Sequence, residues 1–391
     1  MSSSAPSSVL LAGGGTAGHV SPLLALADCL RRRDPSTTIA ALGTEQGLES
    51  RLVPERGYDL LTVPKVPLPR RPSADLVRLP ASLRAAVAAA GRAIDEVGAE
   101  VVVGFGGYVS TPAYLAARRR RIPIVVHEQN ARAGIANRLG ARLTSFVATT
   151  FPSTRLAHAR PIGMPLRREI ATLDRSERRA AALEHFGLSD SRPTLLVTGG
   201  SLGAQRLNGA FEARAAALSR AGVQVLHLTG AGKEFEPAGT GAGTDAATGT
   251  GADAASGTGA HAGARYVVTP YTDRMDLAYA AADLVVSRAG ANTVCELTAV
   301  GLPAVYVPLP IGNGEQRLNA ADVVGAGGGL LVEDAALTPG WIDSTLLPLL
   351  GDGERVEGMA RASAAAGERG ADELLADLVG EAFRSSAGAR P

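Results

Sequence analysis

The sequence predicts an α/β protein made of two doubly wound parallel sheets, one in each half of the chain. Three observations carry that expectation. Short β-branched runs alternate with helical patterns along almost the whole length, the mark of βαβ units. Each half holds a glycine-rich turn directly after an apolar run, at Gly13–His19 and again at Thr198–Ala204. At 391 residues the chain is long for a single core, so two domains are the natural expectation.

In the first half the strands fall at Val9–Ala12, Thr38–Leu42, Leu60–Val63, Val101–Gly104, Ile124–His127 and Ser145–Ala148. Helical spacing covers Pro22–Arg33, Ser82–Val97, Thr111–Arg119 and Gly134–Gly140. Ser21 before Pro22 reads as an N-cap followed by proline at the first helical position. The alternation pauses around Pro161–Pro165. That pause sets the expected boundary: a first domain over 1–165, a second over 166–370, and a C-terminal helix over 371–391 that is a candidate to pack back on the first.

The second half runs helix Arg175–Phe186, strand Thr194–Thr198, helix Ala204–Ala221, strand Gln224–Leu228, strand Tyr266–Val268, helix Asp273–Ala282, strand Leu284–Val286, helix Thr293–Val300 and strand Ala304–Val307. Helical patterns dominate from Pro339 onward. Gly239–Gly263 is built almost wholly from Gly, Ala, Thr and Asp; it has nothing large to bury and reads as a disordered surface insertion.

Composition narrows the function. The net charge is +1, so no basic excess points to a nucleic-acid partner. The two cysteines, Cys29 and Cys295, lack the spacing of a metal site or a disulfide framework, which fits a reducing cytoplasm. No apolar run is long enough to span a membrane, and the start lacks the charged region of a signal peptide. Without an Asp-x-Asp pair or a His/Cys cluster, metal-dependent chemistry has no support and no cofactor is expected.

Six motifs carry the chemistry. Gly13-Gly14-Gly15-Thr16-Ala17-Gly18-His19 satisfies a dinucleotide fingerprint, with Glu45 near the place of its acidic residue. His19, where loop becomes helix, is a candidate base near neutral pH; the ordinary alternative is a histidine that hydrogen-bonds the loop. Gly104–Tyr108 lets a substrate come close, with Tyr108 either stacking on a sugar or packing. His127-Glu128-Gln129-Asn130 sets four polar side chains at a strand end, suited to a sugar's hydroxyls and amide. Thr198–Ala204 offers free amides and the Ser201 hydroxyl to a phosphate.

Asp283–Glu296 reads as strand, small-residue loop and helix start. That is a seat for a diphosphate, with Glu296 placed to accept a ribose diol. Thr293-x-x-Glu296 equally fits a capping box. Pro308–Gln316 adds a loop whose Gln316 amide can reach a sugar hydroxyl. A cleft between two such domains, at the carboxyl ends of their strands, is the expected active site.

GGGTAGH, GFGGY, HEQN, GGSLGA and SRAGANTVCE, in this order and spacing, resemble the MurG family of glycosyltransferase family 28 from about Val9 to Leu350. The resemblance implies a glycosyltransferase B fold of two Rossmann-like domains. It implies inverting, metal-independent transfer of N-acetylglucosamine from UDP-N-acetylglucosamine to undecaprenyl-diphospho-muramoyl-pentapeptide (lipid I to lipid II), in peptidoglycan synthesis. By the same resemblance Thr16, Ala17, Gly18, Asn130, Arg167, Ser201, Thr272, Ala291, Asn292, Thr293, Val294, Cys295, Glu296 and Gln316 contact the donor. His19 is the catalytic base, and Gly14, Gly15, Tyr108, His127, Glu128 and Asn137 are candidate acceptor contacts.

Three positions depart from the family's pattern. Ala17 and Met164 stand where glycine and asparagine are usual, and Gln316 is the sole member of a usual glutamine pair. The lipid-borne acceptor implies peripheral binding to the anionic inner membrane surface. Leu76, Leu79 and Leu83 with Arg78 and Arg84 form the candidate patch, weighed against a core-facing helix. Other cell-wall synthesis or division proteins are candidate partners. A related glycosyltransferase B enzyme with another lipid acceptor, an NAD(P)-dependent oxidoreductase and a non-catalytic binding protein are the alternatives.

Overall fold

A computed structural model describes residues 5–65, 74–200, 204–240, 263–311 and 313–387. The chain divides into two compact units, Met1–Arg168 with Glu368–Pro391, and Glu169–Gly367. The expected insertion Gly239–Gly263 lies, apart from its first two residues and its last, outside the described residues.

Unit 1 holds a seven-stranded parallel sheet of β1 (Ser8–Ala12), β2 (Thr38–Gly43), β3 (Asp59–Thr62), β4 (Val101–Gly104), β5 (Ile124–Glu128), β6 (Val147–Thr149) and β7 (Ala159–Pro161), in the order β3-β2-β1-β4-β5-β6-β7. The order reverses between β1 and β4, and there both flanking strands end in glycine-rich turns. Strands buried on both faces need unbroken apolar runs, and VLLA, VVV and IVV supply them.

Its helices are α1 (Ala17–Arg33), α2 (Glu49–Glu55), α3 (Ala74–Val97), α4 (Gly107–Arg120) and α5 (Ile135–Gly140). One core layer gathers Val9, Leu11, Leu23 and Leu26; the other gathers Leu10, Leu42, Val87, Ile94 and Tyr114. Helix α1 begins four residues before Ser21, with Thr16 at its N-cap and Pro22 inside it. The expected Ser21 cap is therefore corrected. Pro22 brings no N–H to the Gly18 carbonyl one turn back.

Unit 2 holds α6 (Arg168–Ala171, at the boundary), α7 (Arg175–Phe186), α8 (Gln205–Glu212), α9 (Ala215–Arg220), α10 (Met275–Ala281) and α11 (Ala291–Ala299), then α12 (Glu315–Asn319), α13 (Ala321–Gly325), α14 (Pro339–Trp341), α15 (Leu347–Gly351) and α16 (Gly353–Ala365). Its parallel sheet comprises β8 (Thr194–Thr198), β9 (Gln224–Leu228), β10 (Tyr266–Thr269), β11 (Leu284–Ser287), β12 (Ala304–Tyr306) and β13 (Gly329–Leu331), ordered β10-β9-β8-β11-β12-β13. The single helix expected over Ala204–Ala221 is two, α8 and α9, broken at Ala213–Arg214.

The last helix, α17 (Ala371–Ala387), belongs to unit 1. Leu375, Leu378, Val379 and Ala382 are buried in the layer that holds Leu23 and Leu26 of α1. The leucines and the valine each contribute about 1.5–3 kcal/mol of apolar burial. Arg32 meets Asp372 at 2.8 Å, Arg33 meets Glu373 at 2.6 Å and Asp377 at 2.7 Å, and Arg160 meets Glu381 at 2.6 Å. These partly exposed pairs fix orientation more than they add stability.

Candidate active site

In unit 1 the first glycine turn is built around a carboxylate. Glu49 opens α2 and is fully buried. Its Oε2 accepts the Gly15 amide at 2.8 Å, and its Oε1 accepts the Thr44 amide and hydroxyl at 2.9 and 2.8 Å. A Cβ at Gly14, Gly43 or Gly47 would overlap the Glu49 side chain, so three glycines clear its space. Gly15, with φ of 89°, turns its amide onto it. Burial pushes the Glu49 pKa up, and the bonds from Gly15 and Thr44 more than offset that, leaving it lowered. Glu45, by contrast, is exposed.

His19 sits in the first turn of α1, half-buried, with its Nδ1 3.1 Å from the Thr16 hydroxyl. The ring lies over Gly106, where a Cβ would stand 3.2 Å from Cδ2 and Nε2. Desolvation lowers its pKa, against opposing contributions from the Gly14 backbone and the Glu49 charge. Burial thus favours the neutral imidazole, the form a base requires.

The HEQN strand end turns inward. His127, Glu128, Gln129 and Asn137 are each at most 2% exposed. His127 Nε2 donates to the Gly163 carbonyl at 3.0 Å, and Nδ1 accepts from Gln129 Nε2 at 3.0 Å; burial holds its pKa down at about 4. Glu128 accepts the Asn130 and Gly134 amides, each at 2.9 Å, and Asn137 Nδ2 at 3.0 Å. Burial nonetheless raises its pKa. Tyr114 donates to Asn137 Oδ1 at 2.8 Å.

The polar atoms of His127, Glu128 and Asn137, expected as acceptor contacts, are engaged inside the unit. What they do is shape the loop that carries Asn130, which is half-buried. Tyr108 is 45% exposed, with the Lys65 ammonium 5.9 Å from its ring centre, so the packing alternative for it is set aside. Arg167 is half-buried at the end of unit 1. Met164, where the family has asparagine, is buried, with the Thr150 hydroxyl 3.9 Å from its sulfur.

Of the candidate membrane patch, Leu83 is partly buried and packs against the core that holds Val87. Leu79 is half-buried and Arg84 exposed. The side chains of Leu76 and Arg78 lie outside the described residues.

In unit 2 the decisive element is α11. Its N-cap is Gly290, which brings no side chain to the helix's first amides. Thr293 lies inside the helix, so the capping box does not form. Glu296 instead accepts the hydroxyl of Tyr279, a 1% exposed residue of α10, at 2.7 Å. Asn292, Thr293, Cys295 and Glu296 are half-buried, while Ala291 and Val294 face the core. Burial pushes the Cys295 thiol up, far from thiolate chemistry.

Thr272 is half-buried on the loop after β10, where its hydroxyl accepts the Arg274 amide at 3.0 Å. Gln316, also half-buried, accepts the Leu309 amide at 2.9 Å through Oε1 and so pins the loop after β12. Ser201 lies outside the described residues; Gly200 just before it has φ of 80°. Cys29, Asp372 and Glu373 bring possible ligand atoms within 4.8 Å of one another, a grouping invisible in the sequence, yet Arg32 and Arg33 already engage both carboxylates.

Sequence reasoning missed Glu49 and Tyr279. The glycines at 14, 43 and 47 were the available sign of the first; nothing signalled the second.

The glycosyltransferase family 28 N-terminal domain matches residues 9–149, and its C-terminal domain matches 194–375. The chain is 54% identical to the UDP-N-acetylglucosamine–N-acetylmuramyl-(pentapeptide) pyrophosphoryl-undecaprenol N-acetylglucosamine transferase of Streptomyces avermitilis, over 96% of this chain and 98% of that one. The enzyme of the same name from Nocardioides sp. is 57% identical, over 95% and 97%. The chain belongs to the MurG family. Acinetobacter baumannii MurG is similar in structure, with a TM-score of 0.73 and 27% identity over 96% of this chain and 99% of that one. The MurG family thus accounts for the two sheets and their glycine turns.

Proposed function

We propose that the chain transfers N-acetylglucosamine from UDP-N-acetylglucosamine to the 4-hydroxyl of the muramoyl sugar of undecaprenyl-diphospho-muramoyl-pentapeptide. It is a hexosyltransferase of peptidoglycan synthesis. The observation that carries the reading is the α11 start, with Gly290 at its cap and Glu296 held by Tyr279, in a chain 54% identical to an enzyme named for this transfer. An uncapped helix start favours a diphosphate, and a fixed carboxylate one turn on suits a ribose diol.

In this reading Ala291–Glu296, Thr272, Ser201 and Gln316 hold the donor from unit 2. Thr16, Ala17, Gly18, Asn130 and Arg167 contact it from unit 1. Gly14, Gly15 and Tyr108 serve the acceptor. The hydroxyl oxygen attacks the anomeric carbon, the bond to UDP breaks with inversion, and the proton passes to a ring nitrogen of His19. Charge growing on the departing diphosphate is met by the α11 amides and Arg167, the kind of prearranged electrostatics that usually dominates catalysis.

The Glu49 carboxylate in the first glycine turn disfavours the NAD(P) alternative, since a pyrophosphate there would meet a negative charge. Purified protein given UDP-N-acetylglucosamine and a lipid I analogue should yield the disaccharide product. No product beside an active control enzyme would remove the proposal.

No helix among the described residues is long and apolar enough to cross a membrane. The lipid-borne acceptor places the work at an anionic membrane surface on the cytoplasmic side, with Leu76, Leu79, Arg78 and Arg84 as contacts and cell-wall or division proteins as neighbours. Replacing Leu76 and Leu79 by glutamate should weaken binding to anionic liposomes while the protein stays folded; unchanged binding sinks the patch.

A further inference from the structure

The first glycine turn looks like an anion seat, yet the protein fills it with its own side chain. Glu49 reaches it from α2, more than thirty residues away in sequence. Three glycines give up their Cβ atoms to admit it. The Thr44 amide and hydroxyl hold one carboxylate oxygen, so the other is fixed against the Gly15 amide. Gly15 adjoins Thr16, which occupies the N-cap position of α1 and sets its hydroxyl 3.1 Å from His19 Nδ1. A continuous path therefore runs from a buried carboxylate to the imidazole.

We propose that Glu49 is a positioning residue for His19: its carboxylate fixes the glycine turn and, through Thr16, the orientation of the imidazole. The proposal rests on His19 being the base. Both oxygens of Glu49 accept, one from Gly15 and one from Thr44, which a neutral amide with its single acceptor oxygen does not reproduce, and its charge bears on the ring as well. A buried carboxylate costs desolvation, and here it is sustained by three hydrogen bonds from Gly15 and Thr44.

The other charged groups around α1 are engaged elsewhere. Asp28 pairs with Arg56, Arg51 with Glu55, and Arg32 and Arg33 with Asp372, Glu373 and Asp377 of α17. Glu128 is held by Asn130, Gly134 and Asn137. Among the described residues, Glu49 is the one whose charge bears on His19.

The test compares Glu49→Gln, Glu49→Asp and His19→Ala with the parent in the transfer assay across pH, alongside calorimetric binding of UDP to verify an intact donor site. Glu49→Gln should lower kcat roughly tenfold to a hundredfold, the scale of a misplaced catalytic group. It should also move the acid limb of kcat/KM to lower pH, because losing the neighbouring negative charge destabilises the imidazolium. Glu49→Asp keeps the charge and should keep that limb while kcat stays low. If Glu49→Gln does not fold, Gly47→Ala reaches the same carboxylate, since its new methyl displaces Glu49 without changing any charge; it should lower kcat on the same scale.

An inactive His19→Ala beside parental kcat and acid limb in Glu49→Gln, or parental kcat in Gly47→Ala, overturns the proposal. Parental turnover in His19→Ala removes the base assignment itself, and this proposal with it.

Discussion

The two units present the same local device, a strand running through glycine into a helix, and use it in opposite ways. In unit 1 the turn before α1 is filled by Glu49, and the neighbouring HEQN strand end buries the side chains of His127, Glu128 and Gln129. In unit 2 the start of α11 has a glycine cap with no side chain, and its carboxylate, Glu296, is steadied by Tyr279 while remaining half-buried. A polar motif at a strand's carboxyl end is therefore not by itself a ligand contact. Whether the protein already supplies the counter-group decides between scaffold and site.

That contrast can be broken by measurement. His19→Ala carries the largest expected effect, a fall in kcat of roughly 10²–10⁴-fold with donor affinity nearly unchanged, read by transfer kinetics and UDP calorimetry. A large loss of donor affinity instead would put unit 1's turn in the same category as α11.

Next comes acid stability. Folded His127 stays neutral down to about 4, whereas the unfolded side chain protonates below 6.5. Between those values the unfolded state binds more protons, so stability is lost as pH falls through this window, by up to roughly 3 kcal/mol. Urea unfolding at pH 7 and pH 5 should show the loss, and His127→Gln should reduce the difference between the two. An undiminished pH dependence in that variant would mean His127 is not locked inside.

Glu296→Ala should raise the donor KM roughly tenfold to a hundredfold, as expected for hydrogen bonds to a charged group, with a smaller change in kcat. Tyr279→Phe carries the smallest effect, a rise in donor KM of about two- to tenfold, because it frees the carboxylate without removing it. Equal effects from the two would make Tyr279 a direct contact instead of a support.

Eleven of the thirteen strands among the described residues were legible because buried parallel strands demand apolar runs, and these have them. The two that were not, β7 and β13, are three residues each, one reading ARP and the other lying in a glycine-rich stretch. A strand that short leaves no period to detect. Helix α2 was hidden for a similar reason, since seven residues containing Pro54 carry little helical signal.

At the site, His19 and Glu296 could be singled out because each lies in one short motif with a glycine that precedes its helix. Tyr279 could not be, and Glu49 only through the glycines at 14, 43 and 47, because each reaches its partner from another element. The direction in which HEQN points was likewise unreadable: four polar residues after an apolar strand look the same whether they face solvent or close a buried network with Asn137 and Tyr114.

One feature of the fold bears on how the protein is made. The apolar face of α1 is covered by α17, yet more than three hundred residues separate them along the chain. During synthesis the first sheet and its helices emerge early and must wait for Ala371–Ala387 before that face closes. At typical elongation rates the interval after Arg168 is roughly ten to forty seconds, long against the folding time of a domain of this size. Nascent unit 1 is thus the stage at which this chain most needs protection from aggregation, and unit 2 must be completed before unit 1 can be.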